Sequence, residues 1–405
     1  MQKIQNQKHS KETFLYTIMN TLERASYYGI RALFVIYMIG ETLKMEHAKA
    51  FEVYGIFFIS IIFSKIIGAV VGDLFVGNKK AVIIGGLIQA LGAFSLCNPS
   101  IYGLYSGLFL ISLGSGFFTT NLHSNFGKLY LEKLQLSDAG FTILYLSSNL
   151  GSFFGILLLG YLGEKYGYSI GFLTTGFLTL LSIVPLLFIK EESIHDKIID
   201  NKISFKKRLQ IIFITFSVVG LFWLFYELAS VRNSDLIFQF SEISALNISR
   251  YLWNSLSAIF ILPISIIAIL LWTFFYINQI SKLTLGLLFA ILSLGILLFI
   301  PETPLKEHVY IYIGSLLLFS VSEILIAPVV QSTLTKYGNP KYLAILMSII
   351  SLPVRLFTFL LIPFKEELDN SIQLSFNVGL TGIIILTLGF ISHTYFNSRK
   401  PKQTI

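Results

Sequence analysis

Long apolar runs separated by short polar stretches dominate the chain. A helix needs roughly 20 apolar residues to cross a hydrocarbon core of about 30 Å. The runs that reach or approach this length, numbered as spans one to twelve, lie at about 13–40, 50–73, 80–97, 101–125, 139–163, 168–189, 207–232, 248–273, 281–300, 308–334, 340–363 and 373–395. The pattern therefore predicts an all-α membrane protein with twelve transmembrane helices.

The longest polar stretch lies between spans six and seven and divides the chain into two pseudo-symmetric six-helix halves. The boundaries that follow are an N-terminal segment at 1–12, a first half at 13–189, a linker at 190–206, a second half at 207–395 and a tail at 396–405. Two similar halves around a site near the membrane midplane are typical of secondary transporters.

Composition excludes several classes of protein. Of the 405 residues 54% are hydrophobic and 13% are charged, against about 25% charged in soluble domains, so a water-soluble enzyme is excluded. The single cysteine, Cys97, excludes intrachain disulfides and a multi-cysteine metal site. The sequence has no GxxxxGK[ST] loop, HExxH motif or nucleophile elbow, so we expect neither catalysis nor ATP drive.

The distribution of lysine and arginine predicts the orientation. The formal net charge is +8, and the positive charges concentrate in alternate loops, as membrane topology requires, which argues against nucleic acid as a partner. With the N-terminus inside, the basic linker also lies inside, so both termini are expected to be cytoplasmic in a bacterial plasma membrane. The basic N-terminal segment leads into an uninterrupted apolar run, so no cleavable signal peptide is expected.

Two adjacent charges interrupt span one near mid-membrane. An ionisable residue at that depth costs roughly 2.5–3.5 kcal/mol on insertion scales, which makes Glu23 and Arg24 functional candidates. In the functional interpretation Arg24 binds a substrate carboxylate and Glu23 carries a proton. In the structural alternative each charge pairs with a neighbouring helix, because adjacent residues do not share one helix face.

A second pair of charges lies near the outer face. Arg31 in span one and Glu227 in span seven reach similar depths of roughly 28 Å from the inner boundary. We expect an ion pair between the halves that weakens when Glu227 is protonated. The alternative is two unrelated charges that extend to the outer headgroups.

Three segments of the first half match known transporter motifs. Asn20–Ala32 resembles the signature ExxERFxYYG, and Gly68–Lys80 resembles the loop GxxxDxxxG followed by two basic residues. The third segment is Phe141–Ser152. The first and third segments resemble the two signatures of the proton-dependent oligopeptide transporter family, and the second resembles the loop of the major facilitator superfamily, to which that family belongs.

The second half agrees more weakly with the same family. Phe222–Glu227 resembles FWxxxE, and Asn254 and Pro263 match an asparagine and proline of span eight. Ser322–Pro328 resembles GELxxSP. The motifs occur in the family's order, which makes the set more specific than any one of them.

The resemblance implies the major facilitator fold and proton-coupled uptake of short peptides by alternating access. It implies proton coupling and gating by Glu23, Arg31 and Glu227, and a gating loop that contains Asp73, Gly77, Lys79 and Lys80. Together with the charge analysis it gives a substrate-binding set of Arg24, Tyr27, Tyr28, Lys65, Asn149, Asn254, Glu323 and Arg355. The expected partners are a short peptide or other small molecule and the lipid bilayer. We expect a monomer with the proton as coupling ion, no cofactor and no metal.

Lys65 and Arg355 are not explained by the family motifs. Lys65 lies roughly 12 Å from the cytoplasmic side, at the depth of Thr119, where the family has a lysine. A cation moved from span four to span two would restore an anion site, together with Arg355. We expect the ammonium of Lys65 to lie within reach of Glu23 or Glu323. The alternative is two cations that extend to the headgroups or pair structurally with a residue such as Glu323.

Other departures from the family keep different functions open. Asn20, Ile62 and Ile350 stand where the family has glutamate, tyrosine and tryptophan. His123, one turn after Thr119, is either a titratable substitute or a structural histidine. The alternatives are therefore a carrier of another small anionic solute, or a transport-inactive membrane sensor with the same fold.

Overall fold

The fold is almost entirely helical. The computed structural model describes residues 2–3, 8–40, 42–189, 203–243 and 250–399. Its α-helices are α1 (Lys11–Ile39), α2 (His47–Val71), α3 (Asn78–Leu96), α4 (Ile101–Lys128), α5 (Ser137–Tyr166), α6 (Tyr168–Ile183), α7 (Phe205–Glu242), α8 (Arg250–Phe274), α9 (Gln279–Leu297), α10 (Val309–Tyr337), α11 (Leu343–Ser348), α12 (Leu352–Leu360), α13 (Lys365–Asn370) and α14 (Ile372–Arg399). A short antiparallel pair joins β1 (Gln2–Lys3) to β2 (Phe275–Tyr276).

The helices account for the predicted membrane spans. Within the described ranges, ten helices are long and apolar enough to cross a membrane. Helix α1 has 29 residues and is about 44 Å long, which is enough to cross a membrane, although the charges of span one interrupt its apolar sequence. Helix α8 contributes the apolar stretch Ile259–Phe274. The predicted all-α membrane architecture is confirmed, while most of the predicted linker, 190–202, lies outside the described residues.

Two spans differ from their predicted form. Helix α7 continues past the predicted end near residue 232 because Asp235 accepts hydrogen bonds from Arg232, at 2.6 Å, and Gln239, at 2.9 Å. These pairs support another helical turn of polar sequence. Span eleven is divided into α11 and α12, with Pro353 in the first turn of α12, where a proline needs no hydrogen-bond donor.

The chain forms two compact units. The N-unit comprises Asn6–Arg208 together with Leu334–Ile349, and the C-unit comprises Met1–Gln5, Leu209–Thr333 and Ile350–Ile405. The end of α10 and the whole of α11, which the sequence assigns to the second half, therefore pack with the first.

Glycines bring the helices of the N-unit into close contact. A Cβ atom at Gly116 of α4 would lie 2.3 Å from the carbonyl carbon of Ser64 in α2. At Gly155 of α5 it would lie 2.2 Å from the carbonyl oxygen of Ala25 in α1. Small residues at such contacts allow the helix backbones to approach closely, and this fixes the helices that carry the charged residues.

Aromatic side chains fill the core of the C-unit. The rings of Tyr226 and Phe319 stack with centroids 3.7 Å apart. Phe240 stacks on Trp253 at 5.6 Å and packs against Tyr312. These contacts join α7, α8 and α10 and hold one face of α10 against α7.

Candidate functional site

Glu23 and Arg24 form an ion pair with each other. The guanidinium donates from Nε to Oε2 at 2.6 Å and from Nη2 to Oε1 at 2.8 Å. Glu23 is fully buried, and the Arg24 side chain is 13% exposed. The expectation that adjacent residues point to different partners is therefore wrong, because both side chains are long enough to curve toward each other.

Two buried polar residues support this pair. Gln89 of α3 donates from Nε2 to Glu23 Oε1 at 3.2 Å, and Thr119 of α4 accepts from Arg24 Nη2 at 2.8 Å. Sequence analysis missed Gln89, whose neutral side chain in an apolar span gave no signal. It had noted Thr119 only as a lost lysine.

A second cation and a histidine lie beside the ion pair. Lys65 of α2 is half-buried and within electrostatic range of Glu23 and Arg24. His123 of α4, also half-buried, is within electrostatic range of Arg24 and Lys65. The cluster contains the carboxylate of Glu23, the guanidinium of Arg24 and the amine of Lys65. It is therefore suited to a ligand with a negative charge.

Arg31 lies among aromatic rings of the N-unit. Its Cζ atom is 4.5 Å from the ring centroid of Phe58, 5.1 Å from that of Tyr28 and 5.8 Å from that of Tyr27. Nη2 donates to the hydroxyl of Tyr54 at 3.2 Å. Cation–π contacts of this kind stabilise a guanidinium that lacks bulk water. The predicted pairing with Glu227, an exposed residue of the C-unit, stays a prediction.

The tyrosines predicted to line the substrate site lie next to both arginines. Tyr27 is buried, and Arg24 Cζ is 5.0 Å from the centroid of its ring. Tyr28 is half-buried and meets Tyr27 edge to face at 5.4 Å. Tyr27 therefore lies between the two guanidinium groups.

The asparagines of spans one and five already have partners within the N-unit. Asn20, which replaces the family's glutamate, donates to the hydroxyls of Ser147 and Ser148 at 2.7 Å each. Asn149 donates to the carbonyl of Tyr145 at 3.0 Å, within its own helix. A substrate contact from Asn149 stays a prediction.

The predicted gating loop is tied to α11. Asp73 accepts from the side chain of Asn78 through Oδ1 and from the backbone N–H of Ile345 through Oδ2, both at 2.9 Å. Gly77 has φ +85°, a conformation that favours glycine. Lys79 donates to the carbonyl of Ile189 at 2.8 Å, while Lys80 is exposed.

Further polar contacts surround this loop, and sequence analysis missed them. Asn78 donates to Asn121 Oδ1 at 2.7 Å and accepts from Lys128. Lys336, at the end of α10, forms an ion pair with Asp138 at 3.1 Å, with both side chains nearly excluded from solvent. The segment Leu334–Ile349 is thus held to the N-unit by side-chain contacts at Asp138 and Asp73.

The predicted site residues of the C-unit are less concentrated. Glu323 is half-buried in α10 and lies within electrostatic range of Tyr226. Arg355 is exposed in α12, and the side chain of Asn254 lies outside the described residues. Their predicted substrate contacts stay predictions.

A polar cluster lies at the start of α1, at the edge of the first predicted span. His9 Nδ1 lies 2.9 Å from the hydroxyl of Tyr130, which is 3.1 Å from the hydroxyl of Thr13. Burial, together with the positive charge of Lys133, lowers the pKa of His9. Burial raises the pKa of Tyr130. This cluster fastens the N-terminal segment to the N-unit, and its members are too far apart in sequence to be associated by pattern.

A family model places the chain among known proteins. The model for the Major Facilitator Superfamily matches residues 16–361. The match begins in α1, spans the first predicted half and extends into the second as far as the end of α12.

Sequence relatives match less than half of the chain. A di-/tripeptide transporter of Lactococcus lactis subsp. lactis (strain IL1403) is 32% identical over 184 residues, 42% of this chain and 37% of that protein. Dipeptide and tripeptide permease B of Photorhabdus luminescens is 30% identical over 183 residues, 44% of this chain and 37% of the permease. This chain thus covers less than two fifths of each relative. The predicted resemblance to oligopeptide transporters is confirmed.

Solved structures match along nearly the whole length. A POT family transporter crystallised with 5-aminolevulinic acid has a TM-score of 0.63 and 19% identity, with 97% of each chain covered. The POT family transporter PepTSo has a TM-score of 0.62 and 15% identity, over 97% of this chain and all of the other. At such identities the likeness establishes the fold. The chain therefore belongs to the Major Facilitator Superfamily.

Proposed function

We propose that the protein is a proton-coupled importer that carries di- and tripeptides across the plasma membrane by alternating access. The observation that carries the proposal is the buried ion pair of Glu23 and Arg24, with bonds of 2.6 and 2.8 Å. The peptide permeases among its relatives favour a peptide as substrate.

The ion pair suggests how proton and substrate are coupled. While Glu23 is ionised, its negative charge neutralises Arg24. A proton on Glu23 removes that negative charge and leaves a buried guanidinium uncompensated, which is costly. The negative charge of a peptide bound in the same cluster restores the balance of charge beside Arg24, so the proton and the peptide favour each other's binding.

The remaining roles follow from the family resemblance. Glu323 binds the peptide amino group, Asn149 and Asn254 bind its backbone, and Arg31 with Glu227 controls outward opening. Both termini face the cytoplasm of a bacterial cell. The protein acts as a monomer with the proton as its coupling ion and no other cofactor.

Uptake of labelled peptides into proteoliposomes tests this function. We expect wild-type protein to accumulate a labelled dipeptide and tripeptide when the outside is acidified, and Glu23→Gln to lose the dependence of uptake on the proton gradient. Uptake that ignores the gradient in the wild type contradicts proton coupling. Binding without uptake favours a sensor.

A second candidate is a carrier of another small anionic solute. The observation that favours it is the excess of basic groups in the N-unit cluster, where Arg24 and Lys65 face one carboxylate, Glu23. Uptake of a small organic acid that peptides do not inhibit distinguishes this candidate from the first.

A further inference from the structure

Lys65 lies on the side of α2 opposite to three exposed apolar residues at the same level of the helix. Ile59, Phe63 and Ile67 are 50–62% exposed and follow one another at spacings of four, which places them on one face. Lys65 is two residues from both Phe63 and Ile67, roughly 200° around the helix. Its side chain therefore leaves the helix away from the apolar face that suits lipid.

The packing of α2 fixes the position of Lys65. A Cβ atom at Gly116 of α4 would lie 2.6 Å from the backbone nitrogen of Lys65, so α2 and α4 touch at this level. Ser64, the preceding residue, is buried and lies 3.2 Å from the hydroxyl of Ser112 in α4. The backbone that carries the ammonium thus has little freedom to move.

The charged groups around Lys65 leave it without a bonded partner. Glu23 is the carboxylate within its electrostatic range, and that carboxylate already accepts two hydrogen bonds from Arg24 and one from Gln89. Among the described residues, Lys65 makes no side-chain hydrogen bond and no ion pair. Arg24 and His123 are the other titratable groups near it.

The two cations of the cluster thus differ in availability. Arg24 is committed to Glu23 and Thr119, whereas Lys65 retains all three ammonium donors. A charged side chain within a span is disfavoured unless it serves a function or finds a partner. We infer that Lys65 is the docking residue for the negatively charged group of the transported substrate, an inference that rests on the proposed transport function.

Binding to purified full-length protein tests this inference with matched ligands. Dialanine and dialanine amide differ by one negative charge, and 5-aminolevulinic acid supplies a carboxylate without a peptide bond. We expect the wild type to bind dialanine roughly tenfold or more tightly than its amide, as a charge-assisted hydrogen bond predicts. Lys65→Met should remove this preference, and Lys65→Arg should restore part of it.

Lys306→Met serves as the control because Lys306 is exposed and belongs to no part of the proposed site. It should keep the wild-type preference. If Lys65→Met is poorly folded, as judged by size-exclusion chromatography, Lys65→Arg tests the inference instead. The arginine variant should bind dialanine more weakly than the wild type does and should still prefer it over the amide.

The outcomes separate this inference from the proposed function. If dialanine is transported but Lys65→Met keeps the preference for the free acid, the inference fails while peptide transport stands. If no peptide is transported but 5-aminolevulinic acid binds in a Lys65-dependent manner, the inference stands and the peptide function fails. If the wild type binds neither anionic ligand, the inference is overturned.

Discussion

The ion pair between Glu23 and Arg24 predicts strong energetic coupling between the two side chains. Removing one partner of a buried pair typically costs roughly 3–5 kcal/mol, because it leaves the other charge uncompensated. Here the pair has two short hydrogen bonds, and Glu23 is fully buried. We expect Glu23→Gln and Arg24→Gln each to lower the free energy of unfolding by a few kcal/mol. The double variant should lose about 1–3 kcal/mol less than the sum.

A double-mutant cycle measures this coupling. Unfolding by sodium dodecyl sulfate in mixed micelles, followed by the fluorescence of the three tryptophans, gives the four free energies. The exposed ion pair of Lys49 and Glu52, at 2.8 Å, is the control, and its cycle should show far weaker coupling because solvent screens it. If the effects of the two substitutions on the free energy of unfolding are additive, Glu23 and Arg24 do not interact in the protein. The proposed coupling of proton and peptide binding then loses its basis.

Three further predictions concern the N-unit. Asp73→Asn removes the charge from the acceptor of the Ile345 N–H, so protection of that amide against hydrogen exchange should fall roughly tenfold; unchanged protection contradicts the contact. Gly116→Val should lower the melting temperature markedly, because its side chain would meet the backbone of α2; an unchanged melting temperature contradicts the close approach. Because the pKa of His9 is lowered, docking of the N-terminal segment onto Tyr130 is complete above the ordinary histidine pKa of 6.5 and is lost as the pH falls below it. Protection factors of the N-terminal segment, which are hydrogen-exchange rates corrected for the intrinsic effect of pH, should therefore fall in acid, and His9→Gln should remove this fall. A fall that persists in the variant assigns it to another group.

Much of the fold was predictable because the bilayer imposes a simple rule on the sequence. Spans of roughly 20 apolar residues are visible without an alignment. The end of α7 was not predictable from hydrophobicity, because the contacts of Asp235 rather than apolar residues extend it.

The candidate site was only partly predictable. Charges within apolar spans revealed Glu23, Arg24 and Lys65, since each is costly in a membrane. Their contacts were not predictable, because spacing on a helix locates Cβ atoms and not the ends of long side chains. The bond from Gln89 and the attachment of Leu334–Ile349 to the N-unit depend on tertiary packing.

Movement of protons together with peptide can be measured directly. Proteoliposomes that contain the wild-type protein and a trapped pH-sensitive dye start with equal pH on both sides, and unlabelled dialanine is added outside. Proton coupling predicts that the interior acidifies as the peptide enters, and that Glu23→Gln vesicles show no such acidification. Peptide entry with no change in internal pH in the wild type would contradict proton coupling.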